Sequence, residues 1–249
     1  MAVRKTNTKR KPKYLDDDYI VDNQGVYQEF MKFNNIVLTP KQQAFTKTIK
    51  DNQIVTCLGP AGTAKSFISV YEALLSIKNN KYDKIIVSKA IMTVQNTNSI
   101  GFIKGDLDQK LEPFFSNFKD IMIDIINEKE VTMLLENKTV EFKPIEYVRG
   151  TTFKNSFIII DEFQNLTLEQ LMTVVTRIGK NSKLVFIGDQ KQSDIQKKLV
   201  AVNIFKEILS NIDNIGFFEF TKDDIVREEI IKKILDNYDR LVEEGKIIE

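Results

Sequence analysis

The chain has 249 residues and a formal net charge of +1; 42% of its residues are hydrophobic and 29% are charged. This composition is typical of a folded globular protein, and it excludes a disordered chain and a global basic field that would attract nucleic acid. Histidine is absent and Cys57 is the only cysteine, which excludes histidine-based catalysis, histidine metal sites and an internal disulfide.

The first 34 residues differ in character from the rest. Residues 1–13 are basic and polar without apolar periodicity, so we expect a mobile tail, with a nucleic-acid-binding arm as the alternative. Residues 14–34 mix acidic and aromatic side chains, and we expect them to pack across the core as an extension. Residues 35–249 are then the predicted domain, a length that suits one α/β core.

Location and membrane association are predicted from the same features. No apolar stretch approaches the roughly 20 residues that cross a bilayer. A single cysteine suits a reducing compartment. We therefore expect no membrane partner and a cytoplasmic location, which for a phage-encoded chain is the host cytoplasm.

From residue 35 onward, short apolar runs alternate with segments of helical periodicity. The predicted strands are residues 53–58, 84–88, 156–161, 183–188 and 215–220. The predicted helices are residues 39–50, 65–77, 107–127, 167–178, 196–210 and 222–244, and a glycine-containing segment runs through Gly105. Capping boxes at Thr167 and Thr221 open the fourth and sixth of these helices. This alternation predicts an α/β, doubly wound fold with a mostly parallel sheet and helices on both faces.

The strongest motif lies between the first predicted strand and the helix that begins at Lys65. Its residues are Gly59, Pro60, Ala61, Gly62, Thr63, Ala64, Lys65 and Ser66. They follow the phosphate-binding pattern G-x-x-x-x-G-K-[S/T] at every fixed position except one, in the context that this pattern requires. The match predicts a site for ATP with magnesium: backbone amides surround the phosphates, Lys65 reaches the β- and γ-phosphates, and the Ser66 hydroxyl binds the metal.

One position departs from the pattern. Ala64 stands where the second glycine is expected. If the backbone there has a positive φ, the alanine costs on the order of 1 kcal/mol. Such a cost is tolerable, but it leaves the rate of catalysis open.

Two acidic residues end a continuously apolar strand. Asp161 is at the position where phosphate-loop proteins hold magnesium, and Glu162 beside it can orient or deprotonate the attacking water. The structural alternative is a pair of acids that end a strand and precede the helix near Thr167. The upstream phosphate loop favours the catalytic interpretation.

Polar residues also follow the next strand, in the block from Gly188 to Gln192. Because the carboxyl ends of parallel strands border one crevice, Asp189 and Gln192 are predicted to sense the γ-phosphate and its loss. The alternative is a plain strand-to-helix turn, since Gly-Asp is common in turns.

Taken together, these blocks resemble the PhoH-like ATPases, which share the nucleotide-binding core of superfamily-one helicases. The resemblance runs over roughly residues 36–240. Its blocks are Leu38–Gln42, the phosphate loop, Ser88-Lys89, Gly101–Leu107, Tyr147–Gly150, Asp161–Asn165, Gly188–Gln192 and Asp224–Arg227. The GF-x-x-GDL and DE-x-QN blocks are specific to that family.

The resemblance implies a single RecA-like P-loop NTPase domain and further site residues. It implies that Gln42 contacts adenine and that Arg227 acts as an arginine finger. An exposed helix position is the alternative for Gln42, and a solvated charge is the alternative for Arg227. Lys89 and Glu228 stand where arginine and histidine are usual in the family, which affects the local charge near the γ-phosphate or nucleic acid.

One domain is too short to supply both halves of a helicase site, so we expect a homo-oligomer, a hexameric ring in which Arg227 or Arg149 completes the site of a neighbour. Arg149 could instead be a surface residue or a nucleic-acid contact.

The first functional hypothesis is an ATPase directed by RNA, single-stranded RNA being the expected partner. The second is a nucleotide-dependent assembly or switch protein in which Ala64 slows catalysis. A small-molecule kinase is disfavoured because no acceptor pocket or lid stands out.

Overall fold

A computed structural model describes residues 31–89, 107–148, 150–189, 196–226 and 229–246. Within them lies a six-stranded sheet with strand order β3-β2-β4-β5-β1-β6. The strands are β1 (Ile54–Leu58), β2 (Lys84–Lys89), β3 (Val140–Pro144), β4 (Ser156–Asp161), β5 (Lys183–Gly188) and β6 (Ile215–Glu219). The helices are α1 (Pro40–Asp51), α2 (Lys65–Lys78), α3 (Leu107–Ile125), α4 (Glu128–Glu136), α5 (Leu168–Val175), α6 (Gln196–Leu209) and α7 (Glu229–Glu243). Single 3-10 turns cover Ile145–Val148, Phe163–Asn165 and Lys222–Asp224.

Every strand pair in the sheet is parallel, so the predicted α/β fold class is confirmed. The central strands are mostly apolar in their middle positions because helices cover both faces of the sheet. One face packs against α1, α2, α3 and α4, and the other packs against α5 and α6. Each face has its own buried apolar cluster.

The end of the predicted N-terminal extension packs on the first of these faces. Met31 is buried, and its carbonyl oxygen accepts a hydrogen bond from Nζ of Lys78 at 2.7 Å. The ring of Phe33 contacts Tyr71 edge to face at 5.7 Å between centroids. Residues 1–30, with the predicted basic tail, lie outside the described residues, as does the block at residues 101–106.

Two elements were not predicted from the sequence. Helix α4 and strand β3 occupy the connection that follows α3. Strand β3 is an edge strand that pairs only with β2 among the described residues. Its charged residues Glu141 and Lys143 form ion pairs at the surface rather than packing in the core, so the strand lacks the apolar run that marks the others.

The predicted continuous helix over residues 222–244 is wrong. The capping box of Thr221 and Asp224 is present, but it opens only the 3-10 turn Lys222–Asp224. The backbone N–H of Val226 then donates to the carbonyl oxygen of Gly62 at 2.9 Å. Because this N–H bonds outside the segment, the chain leaves helical geometry, and α7 begins only at Glu229.

A buried lysine closes the end of α1. Nζ of Lys183 donates to the carbonyl oxygens of Ile49 and Asn52 and, at 3.5 Å, to that of Lys50. An N–H donor suits this position because the last carbonyls of a helix lack partners within the helix. Burial, with the nearby charge of Lys81, lowers the pKa of Lys183 to about 8.

Cys57 lies in β1, the strand that leads into the phosphate loop, and its side chain is fully buried. Burial raises the pKa of this thiol above its ordinary value. Across the described ranges, no helix combines the length and the apolar character that a membrane span needs.

Candidate functional site

Three polar segments meet at the carboxyl edge of the sheet. Strand β1 pairs with β5 so that Leu58 faces Gly188, and β5 pairs with β4 so that Ile187 faces Asp161. The phosphate loop, the acidic pair and the segment at Asp189 therefore begin side by side on three adjacent strands. Ligands of open parallel sheets bind at this edge.

The loop has two residues in the left-handed region. Gly62 has φ of 87° and Ala64 has φ of 68° and ψ of 24°. Ala64 therefore has the positive φ that the glycine of the pattern would adopt, a conformation that other L residues rarely adopt. Ala64 is also the N-cap of α2, and no side chain caps that helix end. The first N–H groups of α2 are therefore available to an anion such as a phosphate.

The lysine of the loop is bound to the loop itself. Nζ of Lys65 donates to the carbonyl oxygens of Gly59 at 2.6 Å and Pro60 at 2.8 Å. Burial lowers the pKa of Lys65, and nearby acidic residues, Asp189 first among the carboxylates, oppose this shift. The ammonium thus lies inside the loop, where the phosphates of a nucleotide would be surrounded by backbone amides.

The chain segment that follows β6 packs against the phosphate loop. A Cβ on Gly59 would lie 2.6 Å from Cβ of Phe220, so only glycine permits this close approach. The backbone N–H of Phe220 donates to the carbonyl of Leu58 at 2.9 Å. The backbone N–H of Val226 also donates to the carbonyl of Gly62. The chain after β6 therefore contacts the loop at Gly59 and again at Gly62.

Asp161 ends β4 and is buried. Nζ of Lys89 lies 3.4 Å from its Oδ2. Burial raises the pKa of Asp161 to about 6; Lys89 opposes this shift and the carboxylate of Glu162 adds to it. Lys89 therefore provides a positive charge beside the carboxylate at the end of β4.

The residues that would hold magnesium fit that ion by their chemistry. Ser66 and Asp161 offer a hydroxyl and a carboxylate oxygen, the hard ligands that magnesium prefers. Magnesium at nucleotide sites needs only one or two carboxylates, because phosphates and water supply the rest. The described part of the chain has no group of three or more acidic, cysteine or histidine residues arranged to hold a metal by themselves.

Gln164, for which the sequence predicts no role, bonds to both Glu162 and Asp189. Glu162 lies in the left-handed region with φ of 53°. Nε2 of Gln164 donates to Oε2 of Glu162 at 2.6 Å, and Oε1 of Gln164 accepts from the backbone N–H of Asp189 at 3.1 Å. The sequence carries no local signal of this role, because the burial of Gln164, which makes its amide require partners, depends on contacts with distant residues.

Asp189 connects this group to the phosphate loop. It is buried, and its Oδ2 accepts a hydrogen bond from the backbone N–H of Ala61 at 3.1 Å. The structure thus brings the loop, Asp161, Glu162 and Asp189 together. Gln192, Arg227 and Arg149 lie outside the described residues, so their predicted roles stay predictions.

Gln42 is not the exposed helix residue that was its alternative. It is buried at the start of α1. Its backbone N–H donates to Oγ1 of Thr39, and its Oε1 accepts from the backbone N–H of Thr39 at 2.9 Å. This capping box fixes the side chain, and the contact with adenine stays a prediction.

A phosphate loop at the carboxyl edge of an all-parallel sheet, with acidic residues at the ends of the neighbouring strands, defines a nucleotide-binding domain of the P-loop NTPase class. A sequence model of the family described as "PhoH-like protein" matches residues 36–239. The chain belongs to this family, as the sequence motifs predicted.

Individual relatives agree with this assignment. The chain is 34% identical over 205 residues to a PhoH-like protein of Bacillus subtilis, covering 82% of this chain and 64% of the relative. It is 32% identical over 203 residues to a PhoH-like protein of Synechocystis sp., covering 81% and 61%. The chain thus spans about three fifths of the length of these relatives. The large terminase of a thermophilic bacteriophage has the same fold, with a TM-score of 0.50 at 13% identity over 83% of this chain and 50% of the terminase.

Proposed function

We propose that this chain binds ATP with magnesium and hydrolyses it. The observation that carries the proposal is the hydrogen bond between Ala61 of the phosphate loop and the Asp189 carboxylate at 3.1 Å. It joins the loop directly to a segment that follows a neighbouring strand, next to Asp161 and Glu162. A loop that only bound a nucleotide would not need these acidic partners.

Lys65 and the end of α2 bind the phosphates. When ATP enters, Nζ of Lys65 exchanges the carbonyl oxygens of Gly59 and Pro60 for phosphate oxygens. The uncapped N–H groups at the start of α2 donate to the same phosphates. Gln42 contacts the adenine.

The residues at the ends of the neighbouring strands, together with Ser66, bind the metal and promote the hydrolysis step. Ser66 and Asp161 would hold magnesium, which would supply positive charge to neutralise the phosphates. Glu162 orients and deprotonates the attacking water. Asp189 and Gln192 detect the loss of the γ-phosphate.

An ATP hydrolysis assay on the Glu162→Gln variant tests this proposal. The variant should bind ATP with wild-type affinity and lose turnover by about 10²-fold or more, because the amide cannot accept a proton. Glu207→Gln is the matched control, since Glu207 is an exposed acid on α6. Wild-type turnover in Glu162→Gln would show that another group activates the water.

We propose further that RNA binds to this protein and stimulates its hydrolysis of ATP. Its support is the resemblance of the whole motif set to superfamily-one helicases. The net charge of +1 means that a nucleic-acid site must be a local patch. Addition of single-stranded RNA should raise the rate of ATP hydrolysis, and double-stranded RNA is the comparison. No stimulation by either would contradict this part of the proposal and leave ATP hydrolysis itself intact.

The protein works as a ring of identical chains, for which we expect six members. Exposed apolar side chains spaced four residues apart lie on two different helices: Val200, Ile204 and Ile208 on α6, and Ile230, Ile234 and Tyr238 on α7. Two unlike apolar surfaces on one chain suit a heterologous contact, which closes into a ring when the rotation permits.

Two observations on residues next to Arg227 and Arg149 support a choice between these arginines as the one supplied to a neighbour. Val226, which precedes Arg227, bonds to the chain's own phosphate loop. Val148, which precedes Arg149, follows the edge strand β3, and four strand spacings, about 19 Å, separate β3 from β1. Arg149 is therefore the better candidate for the arginine supplied to a neighbour, a contribution of about 10³–10⁵ in rate.

Mixing two inactive variants tests this assignment. Lys65→Ala has no functional loop but keeps its arginines, and Arg149→Ala keeps its loop. Mixed rings should regain hydrolysis that neither variant shows alone, whereas a mixture of Lys65→Ala with Arg227→Ala should not. Light scattering that shows a monomer with and without ATP would contradict the ring.

The backbone of Ala64 favours a second candidate function, a nucleotide-dependent assembly or switch protein. A strained loop with φ of 68° at this residue can bind phosphates through its amides and still place the γ-phosphate poorly for attack. This candidate predicts tight ATP binding, ring formation and negligible turnover. The hydrolysis assay above separates it from the first candidate.

A further inference from the structure

One buried amide joins the acidic pair to the strand-end segment at Asp189. Gln164 is 0% exposed, and its side chain donates to Glu162 and accepts from Asp189 at 2.6 and 3.1 Å. Only one orientation of the amide satisfies both partners, because a carboxylate needs a donor and a backbone N–H needs an acceptor.

Gly188 shows that space is reserved for this amide. A Cβ on Gly188 would lie 2.3 Å from Oε1 of Gln164 and 2.9 Å from Cδ1 of Phe163. The backbone of Gly188 does not have the positive φ that would itself call for glycine. The glycine is therefore required by the close approach of the Gln164 side chain.

The connection continues to the phosphate loop. The backbone of Asp189 bonds to Gln164, and the carboxylate of the same residue bonds to the backbone N–H of Ala61. A displacement of the loop at Ala61 can thus be transmitted to Glu162 through the hydrogen bonds of Asp189 and Gln164.

We propose that Gln164 is a positioning residue, which holds the Glu162 carboxylate toward the attacking water and ties its orientation to Asp189 and the phosphate loop. A glutamate side chain rotates about several bonds, and one charge-assisted hydrogen bond from a fixed amide removes most of that freedom. The inference rests on the proposed function, in which Glu162 activates water.

Two variants separate the two hydrogen bonds. Gln164→Met fills a similar volume and makes neither bond. Gln164→Glu keeps an oxygen that can accept from the N–H of Asp189, but it replaces the donor to Glu162 with a second carboxylate. Gln53→Met is the control, since Gln53 is exposed and its side chain makes one backbone contact, to Ser182, away from the site.

The first measurement is steady-state hydrolysis of ATP by the full chain. Both Gln164 variants should lose about 10- to 100-fold in kcat, with KM and the equilibrium affinity for ATP within about threefold of wild type. The double variant Gln164→Met with Glu162→Gln should be no slower than Glu162→Gln alone, because Gln164 acts through Glu162. A kcat within twofold of wild type in Gln164→Met, or a loss of kcat matched by an equal loss of affinity, would overturn the positioning role.

The second measurement is hydrogen exchange at the backbone amide of Asp189, which does not depend on turnover. Exchange should be at least about tenfold faster in Gln164→Met and close to wild type in Gln164→Glu, because only the methionine removes the acceptor. Unchanged exchange in Gln164→Met would overturn the link to Asp189, whether or not the wild-type chain hydrolyses ATP. Absence of wild-type hydrolysis, or wild-type turnover in Glu162→Gln, would instead count against the proposed function.

Discussion

Nζ of Lys65 lies 2.6 Å from the carbonyl oxygen of Gly59, the first residue of the same loop. A second bond to Pro60 at 2.8 Å completes the contact. The ammonium therefore has hydrogen-bond partners before any phosphate arrives, and a nucleotide must replace them. Because a phosphate carries full negative charge and a carbonyl oxygen only a partial one, the exchange favours the nucleotide.

Removal of this ammonium should abolish ATP binding. We expect Lys65→Ala to weaken the affinity for ATP by at least about 10²-fold, since it deletes a charge-assisted contact to the phosphates. Equilibrium binding of a fluorescent ATP analogue measures the effect. Lys47→Ala is the control, because Lys47 pairs with Asp51 on the surface of α1. Affinity within a few fold of wild type in Lys65→Ala would contradict the assignment of the loop.

Replacement of Ala64 by glycine should stabilise the protein. Ala64 has a positive φ, which glycine adopts without the steric cost that alanine incurs. The greater freedom of glycine in the unfolded chain offsets part of this gain, so we expect the free energy of unfolding to rise by about 0.5–1 kcal/mol. Urea unfolding measures the change.

Ala61→Gly in the same loop is the matched control for that variant. Ala61 is not among the described residues with a positive φ, so glycine there should lower stability by about 0.5–1 kcal/mol. Both variants replace an alanine by glycine, but we expect opposite changes in the free energy of unfolding. Destabilisation by both would show that the conformation of Ala64 does not cost free energy.

Addition of a methyl group at Gly188 should damage the site as well as the fold. The new Cβ would displace Oε1 of Gln164, so we expect Gly188→Ala to lose about 1–3 kcal/mol in stability and at least tenfold in the turnover of folded protein. Gly216→Ala is the control, because its Cβ would also contact Asn52 and Thr48 closely but far from the acidic pair. Equal effects of the two variants on turnover would contradict the role of Gly188.

The buried Lys183 should make stability depend on pH. Lys183→Met leaves the carbonyls at the end of α1 without their donor, so we expect a loss of about 2 kcal/mol at pH 7. In the wild type, the pKa of Lys183 is about 8 against an ordinary value of 10.5. The unfolded chain therefore binds more protons between these values, and wild-type stability should rise relative to the variant as pH increases, by about 1–2 kcal/mol once screening by solvent is taken into account.

Urea unfolding of both proteins from pH 7 to pH 10 measures that difference. Lys180→Met is the control, because Lys180 is exposed. Its difference from wild type should stay flat over the same range. A constant difference between wild type and Lys183→Met would show that Lys183 has the same pKa in the folded and the unfolded chain.

The parts of the site that the sequence predicts are those with local signals. The phosphate loop follows an apolar strand and opens a helix, and Asp161 ends a run of apolar residues. Such patterns depend on neighbours in the chain, so they locate the loop, the acidic pair and the parallel sheet. The positive φ at Ala64 is predicted by the same local pattern, because the pattern has a glycine at this position.

The parts that the sequence does not predict depend on contacts between distant residues. Gln164 bonds to Asp189, which is 25 residues away, and no spacing rule reveals such a pair. The N–H of Val226 bonds to Gly62, and this contact ends a segment whose periodicity and capping box indicate a helix. Strand β3 carries Glu141 and Lys143 in surface ion pairs, and an edge strand of this kind has no apolar signature.

The burial of Cys57 has a practical consequence for experiments on this protein. The only thiol of the chain lies on an inner strand of the sheet beneath the phosphate loop, and burial raises its pKa. A maleimide dye should therefore leave the native chain unlabelled at this position. Cysteines introduced at exposed positions can then carry fluorophores without prior mutation of Cys57. The rate at which Cys57 itself is labelled reports how often the sheet opens.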